Sequence, residues 1–99
     1  KYLQSLDILP IIVDIRQQAE AIRTAELEKT LRRMPDLTDV ERERIEALTQ
    51  ALVKKLLDHP TRHLRAEASS HRAPEYAALA RKLFNLSEEP GHSASPAAD

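Results

Sequence analysis

The fold is set by residues 38–57, which read TDVERERIEALTQALVKKLL. The first four residues have the spacing of a capping box, in which the Thr38 hydroxyl and the Glu41 carboxylate each accept a hydrogen bond from a free amide at a helix start. Apolar residues then recur every three or four positions, as on one face of an α-helix: Ile45, Leu48, Leu52 and Leu56. Val53 and Leu57 widen this face, so we expect the helix to be the central one of its fold.

The chain as a whole is rich in helix-forming residues. Fourteen Leu and fourteen Ala occur with many Glu, Arg and Lys, whereas only three residues are aromatic. The only glycine is Gly91, which excludes glycine-rich phosphate loops and most tight hairpin turns. We therefore predict an all-α fold, a small bundle of about four helices that is completed by two-fold dimerisation.

Prolines and the apolar period predict where the helices begin and end. A first helix is predicted over residues 10–34, with Pro10 in its opening turn, and residues 1–9 are expected to end a preceding segment. The second helix is predicted to end before Pro60, which opens a short third helix to about residue 68. A loop and a fourth helix, over residues 74–86, follow.

Charge, cysteine content and hydropathy exclude several classes of protein. The formal net charge is −1, so no overall charge draws the chain to nucleic acid or to an anionic membrane. No Cys is present, which excludes disulfides, thiolate metal sites and a cysteine nucleophile. The longest run of large aliphatic residues, residues 11–13, is far shorter than the roughly 20 residues that span a bilayer. We expect a cytoplasmic protein, and we expect residues 87–99 to be a disordered tail because they lack large apolar residues.

His59 and His63 have the spacing with which two imidazoles on a helix bind one metal ion. Pro60 is predicted to start a turn between them, and no third ligand is evident. Asp58 and Thr61 nearby lack the third orienting group and the oxyanion turn of a catalytic site. We therefore expect capping or surface residues here, with no metal.

The two long helices carry more apolar surface than one neighbour can cover. The apolar face of the first helix turns by about 120° between its two halves, so this helix needs two partners. A helical unit of about 80 residues also retains only about 3 to 5 kcal/mol of net stability by itself. We therefore predict a homodimer. The expected interface residues are Ile12, Ile15, Ile22, Leu27, Leu31, Ile45, Leu48, Leu52, Val53 and Leu56.

Two alternatives stay open. A self-contained monomeric bundle would cover these residues itself, and a helical adaptor or regulatory module would use the same face to bind another protein. The mass of the protein in solution separates both from the homodimer.

Four segments stand out in order along the chain. They read PIIVDIR at residues 10–16, AIRTAEL at residues 21–27, LTQALVKKLL at residues 48–57 and PTRHLR at residues 60–65. Together with LFNL at residues 83–86, they resemble the C-terminal dimerisation domain of glutamyl-tRNA reductase. In this comparison residues 10–86 match the domain, and residues 2–9 resemble the end of the family's long spinal helix.

The resemblance implies an enzyme that reduces glutamyl-tRNA to glutamate-1-semialdehyde with NADPH, in the pathway to porphyrins and other tetrapyrroles. The family's catalytic cysteine and nucleotide-binding glycines lie in upstream domains, so we expect no catalytic or cofactor-binding residue in this chain. The chain would hold two catalytic arms apart, each with one tRNA. Arg62 and Arg65 are its candidate tRNA contacts, although we expect Arg65 mainly to bond carbonyls near Leu57 at the predicted helix end.

Overall fold

The computed structural model describes the backbone of residues 2–86 and the side chains of residues 8–86. This part of the chain forms three α-helices and no strand: α1 (Tyr2–Arg32), α2 (Asp39–Ala66) and α3 (Ala73–Phe84). The predicted all-α fold is confirmed. The count of about four helices is wrong, because Pro60, which was predicted to start the third helix, lies inside α2. The predicted tail, residues 87–99, lies outside the described residues.

The start of α2 has the predicted capping box. The Glu41 amide donates to the Thr38 hydroxyl over 3.1 Å, and the Thr38 amide donates to the Glu41 carboxylate over 3.0 Å. Thr38 itself has extended backbone, with φ −73° and ψ 165°. Two of the amides that a helix start leaves unpaired are thereby satisfied.

Pro60 does not end α2. A proline inside a helix removes one backbone hydrogen bond and costs about 3 kcal/mol or more, yet α2 continues to Ala66. Leu57 and Leu64, before and after Pro60, are both buried in the same core cluster, and this burial keeps the two parts of the helix in line. The separate short helix predicted from Pro60 onward is therefore the end of α2.

Thr61 supports the helix next to this proline. Its side chain is buried, and its hydroxyl donates to the Leu57 carbonyl over 2.6 Å. The same hydroxyl accepts a hydrogen bond from Nη2 of Arg16, on α1, over 3.0 Å. Thr61 thus links α2 to α1 at the point where Pro60 has removed a backbone hydrogen bond.

Replacing this hydroxyl is expected to destabilise the protein. Thr61→Val keeps the volume but loses two hydrogen bonds, so the free energy of unfolding should fall by about 1 to 2 kcal/mol. In an Arg16→Met background the loss should be smaller, because one of the two bonds is already absent. Urea denaturation of the natural chain, the two single variants and the double variant measures the loss in each background. Equal losses in the two backgrounds would contradict the contact between Thr61 and Arg16.

α1 likewise continues through Pro10. Ile8 before this proline and Ile11 after it are both buried, so packing on both sides outweighs the lost hydrogen bond. The helix start predicted at Pro10 is therefore wrong, and residues 2–9 form the first part of α1. At its other end α1 stops at Arg32, two residues before the predicted end.

α3 begins at Ala73 and has Pro74 in its first turn, as predicted for the last helix. It ends at Phe84, two residues before the predicted end, and the following Asn85 has left-handed backbone with φ 55° and ψ 48°. The Leu86 amide then donates to the Arg81 carbonyl over 2.9 Å, the pattern of a Schellman motif. This turn brings Leu86 back against the core.

The core lies along α1, which packs on both other helices, whereas α2 and α3 contact each other less. The buried residues of α1 are large and those of α3 are small, which lets α3 approach closely. Those of the shared core are Ile8, Ile11, Ile12 and Ile15 on α1, and Ala73, Ala77 and Ala80 on α3. The prediction that the second helix is central is wrong, because the isoleucines of α1 form the common core.

The three helices form an elongated body of 55 × 27 × 16 Å. The radius of gyration is 16.3 Å, compared with about 13 Å for a compact domain of 100 residues. The core that α3 shares with α1 reaches only to Ala19, and beyond it α1 pairs with α2 alone. None of the three described helices is long and apolar enough to cross a membrane.

Candidate functional site

Exposed leucines follow one another along α2. Leu48, Leu52 and Leu56 are 57%, 52% and 72% exposed, and they share one helix face with the half-buried Ile45, because the four positions lie within about 80° of arc at 3.6 residues per turn. A monomeric protein seldom exposes several large apolar side chains in one row. We call Ile45, Leu48, Leu52 and Leu56 the α2 seam.

A groove between α1 and α2 borders the first half of the seam. It holds about 400 Å³ and is mostly apolar. Ile22 of α1 is exposed at its edge. The apolar residues that line it are Ala19, Ile22, Leu27, Ile45, Leu52 and Val53. We call this the α1–α2 groove.

A buried arginine holds the walls of the α1–α2 groove together. The guanidinium of Arg23 forms an ion pair with Glu20 and donates to the Thr49 hydroxyl of α2 over 3.1 Å. The hydrogen bond from Arg23 lowers the pKa of Glu20 below its ordinary value. Arg23 therefore has partners within the chain for its charge, and it fixes α1 against α2 where α3 no longer covers them.

A second groove lies between α2 and α3, beside the last part of α2. It holds about 350 Å³, and Leu79 and Leu83 of α3 are exposed along it. Its other lining residues include Pro60, Leu64, Tyr76 and Phe84. We call this the α2–α3 groove. Leu79 and Leu83 were not predicted as surface residues, although the row of alanines on the buried face of α3 could have indicated them.

The predicted interface residues divide into three groups in the structure. Ile22, Leu48, Leu52 and Leu56 are exposed, and Leu31, Ile45 and Val53 are half-buried. Ile12, Ile15 and Leu27 are buried within the chain itself. The last three are not available to another molecule in this packing, since Ile12 and Ile15 belong to the core that α1 forms with α2 and α3. The interface as a whole stays a prediction.

The candidate tRNA contacts, Arg62 and Arg65, are both exposed on the last part of α2. Because α2 runs on to Ala66, no helix end lies near Leu57, and the prediction that Arg65 bonds carbonyls there is wrong. Instead the Leu57 carbonyl accepts the Thr61 hydroxyl. Neither guanidinium makes a hydrogen bond to another residue in the described range.

Asp58, on the last part of α2, forms an ion pair with Lys54, which lies one helical turn before it. Lys54 donates to Asp58 over 3.1 Å, and this hydrogen bond lowers the pKa of Asp58. Arg16 lies 3.9 Å from the same carboxylate. Asp58 therefore faces cations on two helices, as a structural carboxylate does.

His59 and His63 lie on one continuous helix, so the predicted turn between them is absent. Their ring centroids are 6.5 Å apart, and the His63 ring lies 5.6 Å from that of Tyr76. Arg72 lies over the Tyr76 ring at 5.5 Å. Within residues 8–86, no three His, Cys, Asp or Glu side chains form a group that could hold a metal ion. The two histidines extend the α2 seam towards α3.

Comparison with known proteins finds one family. Its sequence model, "Glutamyl-tRNAGlu reductase, dimerisation domain", matches residues 1–86. The glutamyl-tRNA reductase of Chloroflexus aggregans is 40% identical over 94% of this chain, and that of Syntrophobacter fumaroxidans is 36% identical over 98%. The glutamyl-tRNA reductase of Geobacter sulfurreducens is 43% identical over 90% of this chain. The chain spans only 20 to 21% of the length of these relatives. No solved structure matches.

Proposed function

Because this chain belongs to the family of glutamyl-tRNA reductase dimerisation domains, we propose that the α2 seam and the two grooves beside it bind a second copy of the chain. The proposal depends on the uninterrupted row of exposed leucines at positions 48, 52 and 56. Full burial of one leucine contributes about 1.5 to 3 kcal/mol, and a two-fold contact buries each of them in both copies.

In this proposal the chain is one part of a longer enzyme. That enzyme would convert glutamyl-tRNA to glutamate-1-semialdehyde for porphyrin synthesis, and this chain would hold its two catalytic units at a fixed separation. NADPH binding and ester reduction would belong to the rest of the polypeptide. Two observations support this division of roles between the chain and the rest of the enzyme: the relatives are named glutamyl-tRNA reductase, and this chain spans one-fifth of their length.

Solution mass tests the proposal directly. Sedimentation equilibrium at tens of micromolar should give twice the 11.2 kDa of one chain. A species of 11.2 kDa with intact helical circular dichroism would overturn the proposal and would favour the adaptor or regulatory module, whose apolar face binds another protein.

The isolated chain is expected to be catalytically silent. Incubated with glutamyl-tRNA and NADPH, it should release no glutamate-1-semialdehyde, because the family's reaction starts with a thiolate nucleophile and this chain has no Cys. Semialdehyde can be trapped and quantified, with the full-length enzyme as the positive control. Turnover by a preparation of verified purity would contradict the assignment of chemistry to other domains.

We also propose that Arg62 and Arg65 contact the tRNA backbone in the full-length enzyme, since both are exposed and basic. Replacing both by Ala should weaken tRNA binding and flatten its salt dependence by roughly one logarithmic unit of slope per lost phosphate contact. Arg32→Ala with Arg33→Ala, two basic residues at the other end of the body, is the matched control. Unchanged tRNA affinity and slope in the first variant would exclude this contact.

A further inference from the structure

We infer that the two copies pack with their α2 helices antiparallel, around a two-fold axis that passes beside Leu52. This inference rests on the proposed function, because it specifies the direction of the contact that the proposed dimer makes. A helix face that packs on its own copy across a two-fold axis can do so in parallel or antiparallel orientation. Charge and apolar surface around the α2 seam distinguish the two.

The two halves of α2 carry opposite charge. Residues 39–46 include four carboxylates and two arginines, a net charge of −2, whereas residues 54–65 include four basic residues and one carboxylate, a net charge of +3. An antiparallel pair places the acidic half of each helix beside the basic half of its partner, and such complementarity favours association.

The neighbouring helices preserve this polarity. Residues 72–84, which include α3 and lie at the basic end of α2, add a net charge of +2. Residues 20–36, which include the part of α1 at the acidic end, contain four charges of each sign and so leave the balance unchanged. Each copy is therefore an acidic end joined to a basic end, and only the antiparallel arrangement joins unlike ends.

A parallel pair would bring like charges together. Lys55 and Arg62 lie on the same edge of the seam, two turns apart, and neither forms an ion pair within the part of the chain that the structure describes. In parallel orientation both would lie at the same level as their counterparts, with the basic half of each helix beside the basic half of its partner. Like charges that meet at an interface oppose association.

The apolar surface is also symmetric about Leu52. Leu48 and Leu56 lie four residues before and after it, so antiparallel copies place Leu48 against the partner's Leu56. The α1–α2 groove and the α2–α3 groove border opposite ends of the seam on the same side of α2. The exposed Leu83 of one copy then lies towards the exposed Ile22 of the partner. Seam and grooves are thus covered in one contact.

Engineered disulfides test the orientation, and the natural chain is suited to this because it has no Cys. Leu48→Cys and Leu56→Cys chains are prepared separately, mixed and oxidised with copper phenanthroline. The antiparallel dimer should give a mixed disulfide between the two variants, because a disulfide needs Cα atoms within about 7 Å. Leu48→Cys alone should stay uncoupled, because its two copies would lie about 12 Å apart along the helix axis.

Two controls separate the failure of this inference from that of the proposed function. Leu52→Cys, beside the axis, should couple to itself, and Ala51→Cys, on another face of α2, should not. Coupling of Leu48→Cys to itself, or coupling of Leu52→Cys without the mixed product, overturns the antiparallel arrangement and leaves the dimer intact. If Leu52→Cys does not couple and the protein has the mass of one chain, the proposed function is overturned. If Leu52→Cys does not couple but the protein has the mass of a dimer, the interface lies away from the seam, and both the antiparallel arrangement and the proposed function of the seam are overturned.

Discussion

Replacing Leu52 and Leu56 together by Asp is expected to convert the dimer into a folded monomer. In the dimer these carboxylates would be desolvated without cationic partners in the middle of the seam, and an uncompensated buried charge costs about 3 to 5 kcal/mol. The dimer dissociation constant should therefore rise by at least about 1,000-fold. Sedimentation across a concentration series measures this change.

The single chain should tolerate the same substitutions. Both leucines are more than half exposed in one copy, so the new carboxylates remain hydrated there, and the lower helix propensity of Asp costs only about 0.5 kcal/mol at each position. Helical circular dichroism should be retained. Ala51→Asp, an exposed position on another face of α2, is the control and should leave the mass unchanged. A doubly substituted protein that stays dimeric would show that the seam is not the interface.

The local signals in the sequence were sufficient for the all-helical class and for one helix start. The capping box at Thr38 and Glu41 depends on hydrogen bonds within four residues, so its spacing alone predicts it, and the structure contains both bonds. The seam depends only on the helical period, which is also local. These features need no knowledge of what packs against the helix.

The two prolines show where local reasoning fails. Pro10 and Pro60 both have the sequence context of a helix start, and in each case burial of residues before and after the ring keeps one helix continuous. Thr61 adds a hydrogen-bond link to α1 at Pro60. The periodic pattern within one helix carries no information about this tertiary packing. For the same reason, the sequence pattern did not indicate that α1 is the central helix.

The interface residues on α1 raise the same difficulty. Ile12, Ile15 and Ile22 belong to one apolar pattern, and periodicity cannot tell which of them another helix of the same chain covers. α3 ends near Gln18, whose side chain donates to the Phe84 carbonyl over 2.9 Å. Isoleucines before that point are buried and Ile22, after it, is exposed. For these three isoleucines, the reach of α3 separates core from candidate interface.

Ile15→Ala is expected to cause a large loss of stability. Ile15 is 1% exposed, and removing a buried isoleucine side chain to the β-carbon costs about 2 to 5 kcal/mol because a cavity remains. The measurement uses the Leu52→Asp, Leu56→Asp background, in which the protein is expected to be monomeric, so the free energy of unfolding does not include dimer dissociation. Urea denaturation followed by circular dichroism gives the difference, and Ile15→Val, expected at about 0.5 to 1.5 kcal/mol, keeps the test usable if the alanine variant does not fold.

Ile22→Ala is the matched control, because it is the same change on the same helix at a side chain that is 59% exposed. In the monomeric background it should lower the free energy of unfolding by less than about 1 kcal/mol. In the natural chain it should instead weaken the dimer, because Ile22 borders the α1–α2 groove. Equal losses from Ile15→Ala and Ile22→Ala in the monomer would contradict the division of α1 into a core part and a candidate interface part. An Ile22→Ala protein that dimerises as tightly as the natural chain would remove that groove from the proposed interface.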